Sequence, residues 1–267
     1  MQNGGYEPLD SAHKAWLAIG LTWIAGFVDI AGFVVLDQIL NANMSGNTVE
    51  IAYHLLRHGD AQALARGWAV LMFVVGLVVC ACIHEACTRH GVSSSAAVTL
   101  GLEMFLLIGF IIASGKSMGS AGVQTNLSPH RFYLLLALAC GAMGIQNATL
   151  TRVGSLTVRT THVTGTLAQF SESWSRYMFW FYDKTRGPGT YRFREALRLS
   201  THHEDFKDAV ITAALWFGFL AGGLCGVSLL YRWHLNALFL PVLILAAFTI
   251  TDLVHPISIG KTVRSGT

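Results

Sequence analysis

The sequence has few charged residues. Only 12% of its 267 residues are Asp, Glu, Lys or Arg, whereas an ordinary soluble domain has about 25%. Hydrophobic residues make up 53% of the chain, and the mean hydropathy is +0.50. The chain has too little polar surface to cover this apolar content in water. The composition therefore predicts a membrane protein with lipid as its partner.

Signatures of metal, redox and nucleotide chemistry are also scarce. The five cysteines include no CxxC pair, so we predict packing roles for them, with no zinc site and no disulfide. His84-Glu85 is not followed by the second histidine of a zinc-protease helix, and no Walker sequence occurs. The net charge of +3 and the scattered aromatics argue against nucleic-acid binding. We expect no enzyme and no cofactor.

Long apolar runs dominate the rest of the chain. Each is about as long as the 20 residues that a helix needs to cross a bilayer. They predict an all-α polytopic membrane protein with about six transmembrane helices. The runs cover residues 15–36, 67–86, 95–114, 132–150, 209–231 and 235–255.

The basic residues predict the orientation of these helices. If the six runs all cross, 13 of the 18 Lys and Arg lie on the side of the two termini. Basic loops favour the cytoplasm, so both termini are predicted to be cytoplasmic. Nine of the 13 lie in one long segment, 151–208, and long loops are weaker indicators of orientation.

Two separated motifs indicate an internal duplication. Residues 26–29 (GFVD) and 44–48 (MSGNT) correspond to residues 144–147 (GIQN) and 163–167 (VTGTL). Each copy contains three apolar runs, so the second would enter the membrane in the opposite sense. Many secondary transporters are built from such inverted repeats.

The duplication divides the chain into four regions. We expect a cytoplasmic tail at 1–14, a first membrane repeat at 15–130, a second at 131–255 and a cytoplasmic tail at 256–267. The second repeat would contain a cytoplasmic insertion at 183–208, with a short basic helix around Arg192 to Arg198.

Each motif carries the pattern of a helix start. Asn47 precedes Glu50 by three residues and Thr166 precedes Gln169 by three, which predicts Asn47 and Thr166 as N-caps. A glycine before each cap, Gly46 or Gly165, favours a sharp turn and hence a broken or re-entrant segment. The free N–H groups at such a start suit an anion or a polar group. Alternatively, both motifs merely cap short helices at the membrane surface.

Asp29 is the leading single candidate for solute binding or coupling. A charge inside a transmembrane helix costs roughly 2.5 to 3.5 kcal/mol on insertion scales, although a helix–helix hydrogen bond is an equal alternative. Glu103 and Asp252 are further ionisable residues at membrane depth, which makes a proton relay conceivable. The candidate binding residues are Asp29, Ser45, Gly46, Asn47, Thr48, Gln146, Asn147, Arg159, Thr164, Gly165 and Thr166.

The two motifs, with Arg159-Thr160-Thr161 ahead of the second, resemble those of the YoaK-like family of bacterial integral membrane proteins, a domain family of unknown function. The resemblance covers roughly residues 15–255 and implies a multi-pass protein of the bacterial inner (cytoplasmic) membrane. His162 stands where the family pattern has tyrosine, and the insertion at 183–208 is longer than usual.

Three classes of function follow from these observations. The leading hypothesis is a secondary transporter or permease for a small polar or anionic solute. A small ion channel or exporter is the second, and a membrane-embedded sensor or enzyme is the third, for which no convergent catalytic set is visible. The sequence leaves open whether the chain forms a homo-oligomer.

Overall fold

A computed structural model describes residues 11–92, 94–115, 127–149, 163–186 and 190–254, and these contain helices and turns but no strand. Nine α-helices and one 3-10 helix lie within the described residues. They are α1 (Ser11–Val35), α2 (Met44–Leu56), α3 (Asp60–Arg89), α4 (Ser95–Ser114), α5 (Pro129–Thr149), α6 (Val163–Thr185), α7 (Thr190–Ser200), α8 (Glu204–Trp233), the 3-10 helix His234–Leu238 and α9 (Phe239–Val254).

Five segments of the described chain are long and apolar enough to cross a membrane. Four of them are the apolar parts of α1, α3, α4 and α5. The fifth, Glu204–Val254, has 51 residues and contains α8, the 3-10 helix and α9. The described residues are therefore all-helical with several segments able to span a membrane, as predicted, and five such segments stand against the six runs expected.

The two helices of the fifth segment run in opposite directions. Gly218, Gly222 and Gly226 of α8 lie against Ile19, Trp23 and Phe27 of α1 in the same order, so α1 and α8 are parallel. In contrast, Phe248 of α9 lies against Gly20, and Leu238 lines a pocket with Val28. Because α9 is antiparallel to α1, the start of α1 and the end of α9 lie on one face, called here the N-terminal face.

Helices α3, α4 and α5 form a second packed group. The Trp68 indole N–H donates to the Tyr133 carbonyl at 3.0 Å, and Cys80 Sγ contacts Thr149 Oγ1 at 3.8 Å, so α3 and α5 are parallel. Helix α4 runs antiparallel to both, since His84 near the end of α3 contacts Ser95 at the start of α4. The Ala97 N–H near the start of α4 donates to Asp252 Oδ2 near the end of α9 at 2.6 Å, so the end of α3 lies on the N-terminal face.

Helices α6, α7 and α8 join through a polar and aromatic junction. Tyr177 Oη donates to Ser200 Oγ at 2.8 Å, linking α6 to α7. Arg176 of α6 donates hydrogen bonds to Glu172 of the same helix and to Asp205 at the start of α8, and the second bond links the two helices. These hydrogen bonds raise the pKa of Arg176. Helix α7 corresponds to the short basic helix expected within 183–208.

Candidate functional site

The chain folds back on itself after α1. Asp37 and Gln38 have left-handed backbone conformations, with φ of 53° and 59°. The following residues return alongside α1, because the Ala42 N–H donates to Asp29 Oδ1 at 2.8 Å. Asp29 lies six residues before the end of α1, which corresponds to about 9 Å along the helix axis. We call residues 36–43 the return turn.

Two buried side chains hold this turn against α1. Asp29 is 5% exposed and accepts the hydrogen bond from Ala42. Asn41 is fully buried and donates from Nδ2 to the Val28 carbonyl at 3.0 Å. Gly32 makes this approach possible, because a Cβ at residue 32 would overlap the Asn41 amide. Polar backbone at membrane depth thus obtains its hydrogen bonds within the protein.

The start of α2 differs from the prediction. Asn43, and not Asn47, is the N-cap: its side chain accepts the Gly46 N–H at 3.2 Å. Asn47 lies inside the helix, 3% exposed, and donates to the Leu40 carbonyl at 2.7 Å. The prediction was wrong because it rested on the local spacing to Glu50, whereas Asn47 is held by the Leu40 carbonyl of the preceding turn.

The predicted role of Gly46 as the turn residue was wrong as well. Gly46 lies within α2, and the reversal is made by Asp37 and Gln38. An added Cβ at residue 46 would make only ordinary contacts with Asn43. Ser45 and Thr48 are exposed, and each bonds locally, Ser45 to the Asn43 side chain and Thr48 to the Met44 carbonyl.

The second motif begins at the end of α5. Gln146 is fully buried and donates from Nε2 to the Leu21 carbonyl of α1 at 2.7 Å. Gln146 Oε1 and Asn147 Oδ1 are buried without a hydrogen-bond partner in the described chain. This α5 segment therefore presents unused acceptors, which suit a ligand with hydrogen-bond donors.

The rest of the second motif lies at the start of α6. The helix begins at Val163, so Thr166 is inside it and is not the predicted N-cap. Thr166 is buried, Gly165 is half-buried and Thr164 is exposed. Arg159 and His162 lie outside the described residues.

The return turn also contacts the second half of the chain. The Cys140 thiol of α5 approaches Asn41 Oδ1 at 3.9 Å. Asn41 and Cys140 were not predicted as site residues; the only signal was an asparagine pair, Asn41 and Asn43, following an apolar run. A pocket beside Asn41, lined also by Gly32 and Phe110, is too narrow to hold a water molecule. This pocket is thus closed to water.

Residues 115–119 spell GKSMG, which matches the GxSxG pattern of hydrolase nucleophiles. That pattern requires a strand before the serine and a helix after it. Here Gly115 directly follows α4. The sequence match therefore follows a helix, and not the strand that the hydrolase pattern requires.

Comparison with known proteins gives a family without an assigned activity. The model of the family described as "Protein of unknown function (DUF1275)" matches residues 17–251. The chain is 25% identical over 169 residues to the UPF0700 transmembrane protein YoaK of Bacillus subtilis (strain 168), covering 63% of this chain and 71% of that protein. No solved structure gives a significant match.

These matches confirm the resemblance drawn from the two motifs, and the multi-pass membrane character follows from the relative and from the apolar helices together. The chain belongs to the DUF1275 family of proteins of unknown function.

Proposed function

We propose that the protein is a secondary transporter or permease for a small polar or anionic solute. It crosses the membrane six times as two three-helix repeats of opposite orientation, with both termini in the cytoplasm. The first repeat contains α1, α3 and α4, and the second contains α5, α8 and α9. Helices α2 and α6 carry the two motifs beside the central site.

The main support for this proposal is that helices of each half pack against helices of the other half. Helix α1 of the first half lies against α8 of the second, and α5 of the second lies against α3 of the first. A pseudo-two-fold axis in the membrane plane exchanges these pairs, which is the symmetry of many transporters that work by alternating access.

The correspondence extends to single residues in the first helix pair. A Cβ on Gly26 would overlap the Phe219 carbonyl, and one on Gly222 would overlap the Trp23 carbonyl. Small residues at such points allow close contact between membrane helices.

The second pair repeats this arrangement. A Cβ on Gly144 would overlap the Phe73 carbonyl, and one on Gly76 would overlap the Gly141 carbonyl. Gly26 matches Gly144 in the motif alignment. Gly76 contacts α5 at the position equivalent to the one at which Gly222 contacts α1. Two equivalent interfaces support a scaffold that rocks between two related states.

The polar groups between these interfaces supply the solute site. Asp29 and Asn41 belong to the first motif region, and Gln146 and Asn147 to the second. The Gln146 hydrogen bond to Leu21 joins α1 to α5 on the side of Asp29 nearer the N-terminal face. Breaking this bond separates the two motif helices and opens the site to that face.

Solute uptake into proteoliposomes tests the proposal. We expect saturable uptake of at least one solute from a panel of labelled amino acids, amines, carboxylates and small phosphates. Asp29→Asn should reduce this uptake at least tenfold, because it removes the acidic group next to the turn. Glu85→Gln, at an exposed carboxylate paired with Arg89, is the matched control and should retain uptake.

Empty liposomes give the background in this experiment. Uptake that never rises above that background for any solute overturns the proposal. Uptake that increases linearly with concentration, without saturation, points to a channel instead.

A further inference from the structure

Glu103 is a buried carboxyl group for which the described residues supply no hydrogen bond. It lies near the middle of α4, and its side chain is fully buried. Both carboxyl oxygens are inaccessible to solvent, and neither has a hydrogen-bond partner in the part of the chain that the structure describes. Other buried acidic groups differ: Asp29 and Asp252 accept backbone N–H groups from Ala42 and Ala97.

The helix packing places Glu103 beside the second motif. Gly109 of α4 lies against Leu138 of α5, and Leu106 lies against Gly141, so the two helices are antiparallel. Glu103 lies three residues before Leu106, and Gly144 lies three residues after Gly141. Because the helices are antiparallel, Glu103 is level with Gly144. Gly144 begins the 144–147 motif and contacts the α3 backbone at Phe73. Glu103 thus lies where α3, α4 and α5 meet.

Glu103 takes part in none of the ion pairs formed by the described residues. Cys80 of α3 is an ionisable group that interacts electrostatically with it. The elements packed against α4 also carry the ionisable groups His84 on α3, Cys140 on α5, His234 in the 3-10 helix and Asp252 on α9.

An ionised carboxylate is strongly disfavoured in such a place. Burial without a counter-charge or hydrogen bonds costs several kcal/mol per ion, and membrane-embedded acids without a structural partner are typical of proton and ion pathways. The neutral carboxyl form avoids this cost. A proton is the smallest ligand that removes the charge, and it needs no cavity.

We propose that Glu103 is the proton-binding site of this protein, neutral when α3, α4 and α5 are closed around it and able to exchange its proton when they separate. On release the carboxyl O–H bond breaks, the electron pair stays on the oxygen, and the proton passes to water on the open face. This names a proton as the coupling ion, a role that rests on the proposed transport function. The binding of the proton itself does not depend on it.

Infrared spectroscopy of the purified protein in lipid vesicles tests the inference. At neutral pH we expect a carbonyl stretching band of a protonated carboxyl group. Transfer to D₂O should shift this band to lower frequency, because an exchanging carboxyl becomes COOD. Glu103→Gln should remove the band while preserving the fold, since glutamine closely matches the neutral acid in shape.

Glu85→Gln is the matched control, because Glu85 is exposed and ion-paired; it should leave the band intact. The inference is overturned if the wild-type protein has no such band, if Glu103→Gln leaves it in place, or if the band never shifts in D₂O. The last result would identify a permanently neutral packing residue.

The same samples separate this inference from the proposed function. A band that exchanges and depends on Glu103, in a protein that takes up no solute, supports the proton site and contradicts transport. Saturable uptake with no exchanging band supports transport and contradicts the proton site.

Discussion

At the scale of single residues, Asp29 connects sequence, fold and proposed function. Its position inside an apolar helix marked it as unusual, but the sequence did not reveal its contact. The carboxylate accepts the N–H of Ala42, thirteen positions later in the chain. The anticipated alternative was a hydrogen bond between helices, whereas the observed bond holds a non-helical turn inside the protein.

Asp29→Ala is predicted to destabilise the protein. The Ala42 N–H would lose its buried acceptor, at a cost of about 1 to 3 kcal/mol. Thermal unfolding in detergent, followed by circular dichroism, should show a lower midpoint than the wild type.

Glu85→Ala serves as the exposed control for this change and should unfold close to the wild-type temperature. Equal midpoints for Asp29→Ala and the wild type would mean that the Asp29 contact contributes nothing to stability.

The helix starts show the limit of local patterns at this scale. Asn47 and Thr166 were expected as caps from their spacing to Glu50 and Gln169, but α2 and α6 begin earlier. Asn47 bonds to a carbonyl in the preceding turn instead. Such a partner depends on how the chain folds back, which spacing alone does not encode.

At the scale of helices, the apolar runs were sufficient to predict the long apolar helices, but α2, α6 and α7 lie outside those runs. The segments expected around 95–114 and 132–150 correspond to α4 and α5 within a few residues, because length and hydropathy determine a membrane helix. The pairing of helices was not predicted. It depends on which glycine faces which backbone, and a count of small residues does not specify a partner.

The glycine contacts make a sharp prediction. Gly144→Ala would press a methyl group against the Phe73 carbonyl, and such overpacking typically costs about 1 to 3 kcal/mol. We expect a lower unfolding midpoint and a larger fraction of aggregated protein on size-exclusion chromatography.

Gly101→Ala is the matched control for this substitution. Gly101 lies in α4 with open space around its Cβ position, and alanine favours helix by up to about 1 kcal/mol. This variant should be as stable as the wild type or more stable. If Gly144→Ala behaves like Gly101→Ala, the close α3–α5 contact is not present in the folded protein.

At the scale of the whole molecule, the proposed inverted arrangement predicts opposite accessibility for the two motifs. In a protein without native cysteines, single cysteines at positions 45 and 164 should react with a small charged thiol reagent from opposite sides of the membrane. Ser45 lies at the start of α2, which leads into α3, and Thr164 lies at the start of α6, which Arg176 joins to the start of α8. Intact and inverted vesicles give the two directions of access.

Cysteines at positions 58 and 85 identify the two faces in this labelling. His58 lies between α2 and α3, and Glu85 lies near the end of α3 on the N-terminal face. A cysteine at position 45 should be labelled from the same side as one at position 58. A cysteine at position 164 should be labelled from the same side as one at position 85. Labelling of 45 and 164 from one common side would contradict the inverted repeats.

The pairing of α1 with α8 has a consequence for how the protein is made. Gly26 and Phe219 meet in the folded protein but lie nearly two hundred residues apart along the chain. At a synthesis rate of about 5 to 20 residues per second, roughly 10 to 40 seconds separate their emergence from the ribosome. During that interval the glycine face of α1 lacks its α8 partner. Nascent chains of this protein should therefore be most vulnerable to membrane proteases before α8 is delivered.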